Sequence, residues 1–184
     1  MHQMKVFGIL LAATVAAIQL GGCSTAPKVQ DRAAFIDRAE STTRWFERSV
    51  YGLRRQIDGS AGYIIFPDVA QWGILFGGGT FGRGALYTPD GRQIGWAKIN
   101  IASIGLQAGV QGFRMLLVLE DQRALAQFKN NLLTGSVGGV AVVGEAGGSA
   151  KASFTNGVAV YQGASMGLMA GVNIGLNLLK YEPI

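Results

Sequence analysis

Few side chains in this sequence could do covalent chemistry. There is one cysteine, Cys23, and one histidine, His2. His2 falls in an expected leader and Cys23 at an expected acylation site, so a Ser/His/Asp relay, a Cys/His pair and a nitrogen- or thiolate-ligated metal site are not expected in the mature protein. Carboxylates remain, but Glu120-Asp121 stands where a strand gives way to a helix, a place where acids cap N-termini. The run Gly77-Gly78-Gly79-Thr80-Phe81-Gly82 satisfies G-x-G-x-x-G. A phosphate cradle requires those glycines to open a helix. Here they lead into Ala85-Leu86-Tyr87 and a turn, with no acid about 20 positions on, and so read as strand kinks. The expectation is a non-enzyme with no catalytic residue, metal or cofactor.

The lone thiol is placed for modification. Lys5 gives a positive start, and residues 6–17 form an apolar core of secretory length, too short for a comfortable bilayer span. Leu20-Gly21-Gly22-Cys23 follows and resembles the lipobox of bacterial lipoproteins. The peptidase reads small residues in an extended segment, and the cysteine accepts a diacylglyceryl group through a thioether. Residues 1–22 are therefore expected to be a signal peptide, Cys23 the lipidation site and 23–30 a tether. Ser24 at the next position directs such proteins to the outer membrane, facing the periplasm. Two or three acyl chains, at about 0.8 kcal/mol per methylene, make attachment effectively permanent.

Non-covalent binding chemistry falls to the cations. The formal charge is +5; without Lys5, 15 cations against 11 acids leave +4. That suits an anionic membrane surface and falls well short of a nucleic-acid arm. Over 31–57 the apolar residues Phe35, Ala39, Phe46, Val50, Leu53 and Ile57 recur at helical spacing, which predicts an amphipathic helix. Asp31 is placed to cap it and Asp58-Gly59 to stop it. Arg44, Arg48 and Arg55 project from the opposite face, with Trp45 and Tyr51 on the flanks. Six arginines against four acids leave this helix only +2, and Glu40 is spaced to pair with Arg44. A core-packed helix with a solvated charged face is the plainer alternative. Arg44, Arg48, Arg55 and Lys98 are the candidate head-group contacts, and Trp45 and Tyr51 the candidate membrane-flanking aromatics.

From Gly62 the texture is β. Tyr63-Ile64-Ile65-Phe66 reads as a short strand ended by Pro67, and 72–87 as a longer one interrupted by glycines. Thr88-Pro89-Asp90-Gly91 is a hairpin turn. Strands are expected over 93–106 and 112–119, then a short helix from Glu120-Asp121 through Leu125, Phe128 and Leu132. Gly-rich strands follow, with Asn156-Gly157 as a second hairpin signal. Glycine, at 28 of 184 residues, sits largely inside apolar runs, as in bent or bulged strands. Gly163, Gly167, Gly171 and Gly175 recur every four residues; read as a helix they form a glycine zipper, but Gln162, Asn173 and Asn177 favour a strand. The fold class is α+β: a strongly curved, mostly antiparallel sheet or barrel-like β-sandwich, an N-terminal amphipathic helix and one short helix between strands.

Four ordered blocks carry a family resemblance: "GYIIFPDV", "GILFGGGTFGRGALY", "NIASIGLQAGVQ" with "LLVLED" behind it, and "GASMGLMAGVNI". Over 62–184 the chain is similar to the SYLF domain family, found in bacterial lipoproteins and in eukaryotic membrane-trafficking and actin-linked proteins. The resemblance implies a compact β-rich domain that binds anionic phospholipids, phosphoinositides in the eukaryotic members, without catalysis. Many members carry a Trp-Ser-x-Pro turn where this chain has Trp96-Ala97-Lys98-Ile99, so only the tryptophan is kept. The eukaryotic lipid contact is placed in a basic amphipathic helix before the domain, to which 31–57 is similar in kind. The expected domain is 31–184, divided into the helix 31–57 and the β-rich core 62–184. The expected partner is anionic phospholipid, the alternative being another envelope protein bound by an anchored interaction module. Nucleic acid is not expected.

Overall fold

The computed structural model of the protein describes residues 25–74, 77–104, 109–133, 136–137, 140–144, 151–164, 174–175 and 179–184. The leader and Cys23 lie outside the described residues.

The N-terminal apolar stripe folds as its spacing predicts, but as two helices. Helix α1 spans Arg32–Ser49 and α2 spans Leu53–Asp58. All six stripe residues are buried. The reading of one helix over 31–57 is corrected at its middle: Val50 is extended and Gly52 is left-handed, with φ of 76°. A β-branched residue two positions before a glycine favours such a break. The chain re-enters the helix in phase, so Leu53 and Ile57 continue the same buried face. Asp31 occupies the N-cap position without a side-chain cap bond, and a 3-10 turn over Val29–Asp31 leads in instead. The stop at Asp58 and Gly59 is as expected.

Seven strands form one sheet in the order β6-β7-β4-β1-β2-β3-β9. They are β1 (Gly62–Ile74), β2 (Gly77–Tyr87), β3 (Gln93–Ile104), β4 (Gly109–Leu119), β6 (Val140–Val143), β7 (Val158–Ala164) and β9 (Leu179–Glu182). Every pairing is antiparallel except β6 with β7. The architecture is α+β, and the sheet is open, with β6 and β9 as its ends. Residues Ser136–Val137 (β5) pair with Ile174–Gly175 (β8) in a separate small sheet.

Both faces of the sheet are covered. Tyr63, Ile65, Leu116 and Tyr161 pack under α1 and α2. Ile64, Phe66, Met115 and Leu117 pack on the other face, under helix α3 (Gln122–Lys129). A strand buried on both sides shows no alternation, which is why 63–66 is uniformly apolar. Pro67 does not end this strand. The ladders to β2 and β4 shift register at Pro67 and Asp68, and this bulge needs no donor from the proline. Trp72 accordingly belongs to β1, and β2 begins at Gly77.

The turns follow their sequence chemistry. Gly91 is left-handed, and its N–H donates to Thr88 O at 2.9 Å. Asn156 and Gly157 both have positive φ, but their turn closes only an isolated Thr155–Val158 bridge before β7. Asp121 caps α3 by accepting from Ala124 N at 2.8 Å. That helix ends at Lys129, because Asn131 turns left-handed, and leaves Leu132 exposed instead of on the helix face. The Gly77–Gly82 run lies within β2. At Gly84 a Cβ would stand 2.8 Å from Ile65 O and 2.9 Å from the Phe66 ring, so glycine lets β2 approach β1 there. Gly163 is in β7 and Gly175 in β8, while Gly167 and Gly171 lie outside the described residues. Among the described residues, no helix is long and apolar enough to cross a membrane.

Candidate functional site

In β-strands a residue and its cross-strand partner point to the same face. Asp68 on β1 is paired with Arg83 on β2, Arg83 with Lys98 on β3, and Lys98 with Lys180 on β9. One transverse row of the sheet therefore carries an acid and then three cations, on the face that bears α1. Like charges directly opposite each other cost stability. Asp68 is already engaged, accepting from Arg38 Nε of α1 at 3.1 Å. Among the described residues, Arg83, Lys98 and Lys180 form no ion pair.

Beyond the N-terminal end of α1 this face opens into a cavity of about 730 Å³. Its basic lining is Lys28, Arg38, Arg83, Lys98 and Arg114, against Asp31 and Asp68, so five cations over two carboxylates leave +3. Phe35, Val69, Ile99 and Phe113 give it an apolar floor. Arg114 is held by a ring: its guanidinium lies 4.4 Å from the centroid of Trp45. A Cβ at Gly163 would stand 2.6 Å from both Arg114 Cγ and the Trp45 ring, so glycine makes room for that stack. Apolar walls with convergent cations suit an amphiphile bearing a negative head group.

The segment entering this cavity is fastened. The amides of Thr25 and Ala26 donate to Glu182 Oε2 at 2.6 and 3.4 Å, and both residues are buried. The stretch read as a tether is therefore packed against the sheet from Thr25, and Pro27 and Lys28 line the cavity.

Of the candidate contacts, only Lys98 lies in the cavity. Arg44, Arg48 and Arg55 are exposed outside it, and Arg44 bonds Glu40 at 3.4 Å, the pairing its spacing predicts. Helix α1 packs its apolar stripe on the sheet, so that stripe is not free to lie on a membrane. Trp45 is half-buried in an edge contact with Phe46 at 4.9 Å, whereas Tyr51 is 94% exposed at the α1–α2 break. Trp96, the kept member of the family's turn motif, sits inside β3, buried against Phe35 at 5.7 Å with Arg32 over its ring. Of Glu120-Asp121, Asp121 serves α3 as its cap.

Lys28, Arg38, Arg83 and Arg114 were not singled out by the sequence. Arg83 and Lys98 flank the Thr88–Gly91 turn, which hints at their pairing. The register shift between Leu86 and Tyr87 decides it. Without that bulge Arg83 would face Ala97, and Lys98 would point to the opposite face.

Two buried phenols lie under the helices beside this site. Tyr63 and Tyr87 stack at 5.3 Å. Burial raises both hydroxyls, that of Tyr63 to about 12. Tyr161 donates to Gln56 Oε1 at 2.5 Å and accepts from Ala152 N at 3.0 Å, tying α2 to β7 and 151–154.

Residues 100–181 match the family model Ysc84, described as "Las17-binding protein actin regulator". The comparison with curated proteins returns no match. The matched span takes in the end of β3, all of β4, α3 and β7, and with them two of the four sequence blocks and Lys180 of the cationic row; Lys98 and Arg83 lie before it. Over residues 100–181 the chain is thus similar to the Ysc84 (SYLF) domain family.

Proposed function

We propose that this protein is a non-catalytic lipoprotein of the outer membrane, anchored through Cys23 and facing the periplasm, whose SYLF domain binds anionic phospholipid. The observation that carries the lipid reading is the Arg83-Lys98-Lys180 row beside an apolar-floored cavity, a charge arrangement that costs stability and is relieved by an anion. The lipobox at 20–23 carries the anchoring. Each cation near an anionic surface contributes about 1 kcal/mol at most, so a net +3 favours anionic over zwitterionic bilayers by about two powers of ten before head-group desolvation is charged. Flotation of the unlipidated mature protein with vesicles tests this. The expected result is binding to vesicles containing anionic phospholipid at low and moderate salt, and none to zwitterionic ones. Equal failure with both contradicts the proposal.

A second reading is a protein-interaction module held at the membrane, favoured by the description of the matched family as Las17-binding. Crosslinking in cells that captures one stoichiometric protein partner, together with absent vesicle binding, supports it over the first.

A further inference from the structure

Two large aromatics are exposed on the face that carries the cationic row. Trp72 of β1 is 42% and Phe81 of β2 is 53% exposed. Asp68 faces Arg83, Ala70 faces Phe81, and Trp72 faces Gly79, so Trp72 and Phe81 follow Asp68 and Arg83 along the same side of the sheet. Neither belongs to the buried core under the helices, where Phe35, Phe46 and Trp96 of the same face lie.

Charge ends where these aromatics begin. Residues 71–82 and 101–113 contain no charged side chain, and Arg83, Lys98 and Arg114 stand at the borders of these stretches. The ladders Ile74–Gly77, Gly77–Ile104 and Gly73–Gly109 bring both stretches to one end of the sheet. An uncharged end bordered by cations, with exposed aromatics between, matches the polarity gradient of a bilayer with anionic head groups. The N-terminal segment enters on the same face. Thr25 is pinned to Glu182, and Pro27 and Lys28 border the cavity. Cys23 is two residues before Thr25, a reach of about 7 Å when extended.

We propose that the domain rests on an anionic bilayer by this face, with Trp72 and Phe81 inserted among the lipids and Arg83, Lys98 and Arg114 at head-group depth. The proposal rests on the lipid-binding reading above and adds an orientation to it. An acyl anchor two residues before Thr25 would tether the molecule close to the point where its N-terminal segment is pinned on this face. Because the aromatic contribution is apolar, it persists at salt concentrations that screen the cations.

The purified protein is mixed with phosphatidylethanolamine–phosphatidylglycerol vesicles whose acyl chains carry bromine, and its tryptophan fluorescence is followed with vesicle flotation. Trp45 is half-buried and Trp96 buried, so Trp72 is the tryptophan within reach of the lipid. The expected result is strong quenching in the parent protein, loss of most of it in Trp72→Phe, and weakened flotation at high salt in Phe81→Ser. An unchanged melting temperature shows that each variant is folded. Vesicle-bound protein with equal quenching in the parent and Trp72→Phe overturns the orientation and leaves lipid binding standing. Absence of both flotation and quenching overturns the two together. A Phe81→Ser variant that lowers the sedimenting mass without changing vesicle binding also overturns it and assigns the patch to a second copy of the chain.

Discussion

Lys98 stands directly opposite Arg83 in the β2–β3 ladder, a like-charge pair at the mouth of an apolar cavity, with Lys180 on its other side. Such a pair costs stability where opposite charges would add to it. The sheet tolerates this cost at the cavity, where Asp68, the acid of the row, is engaged by Arg38 of α1.

Lys98→Gln removes the middle cation of the row. The variant is expected to be more stable by several tenths of a kcal/mol, from relief of two facing repulsions. It should bind anionic vesicles about fivefold more weakly, the equivalent of about 1 kcal/mol. Urea unfolding and vesicle flotation on the same preparation check both signs. A destabilised variant with unchanged binding would assign Lys98 a packing role.

Charge reversal distinguishes the groove from the helix surface. Arg83→Glu with Lys98→Glu should abolish binding to anionic vesicles at physiological salt. Arg44→Glu with Arg48→Glu should weaken it far less, because charges more than about 8 Å from the contact are largely screened. Arg44 also shares its charge with Glu40. Flotation of the two double variants side by side settles the order, and a larger loss from the helix pair would return the contact to α1.

Trp45 is expected to act through packing. Trp45→Ala removes the ring under Arg114 and the contact with Phe46, at a cost of about 2 kcal/mol for a half-buried tryptophan. Its effect on vesicle affinity should be smaller than that of Lys98→Gln once unfolded protein is allowed for. Thermal melting with flotation at a temperature where the variant is folded makes the comparison.

Alkaline conditions should weaken the fold before they strip its surface. Burial raises Tyr63 to about 12 and raises Tyr87 and Tyr161 as well, above the ordinary value of 10.0. The unfolded chain therefore loses these protons first. The stabilisation is fully present below about pH 10 and is lost as the pH rises toward about 12. Urea midpoints at about pH 8 and about pH 11 should fall between the two, and Tyr63→Phe should flatten the decline.

Much of the fold was legible in the sequence, because periodicity and turn chemistry are local signals. The stripe from Phe35 to Ile57, the Thr88–Gly91 hairpin and the Asp121 cap all stand where their residues place them. The misread boundaries depended on tertiary context. Pro67 passes through a strand because a bulge absorbs it, and Val50 breaks a helix whose buried face then resumes in phase. The site was less legible. Arg38, Arg83 and Arg114 come from α1, β2 and β4, and only the register of a bulged ladder puts Arg83 against Lys98. The helix cations drew notice because helical periodicity makes a basic face visible in one dimension, whereas a row across four strands is scattered over more than a hundred positions.

The central claim is that the groove between α1 and the cationic row is where anionic phospholipid sits. Photocrosslinking with a phosphatidylglycerol carrying its reactive group near the phosphate, followed by peptide mapping, tests it most directly. The account predicts labelled peptides containing Lys28, Arg83, Lys98 and Arg114. Label concentrated on the outer surface of α1 around Arg44 and Arg48, or spread without preference, would contradict it.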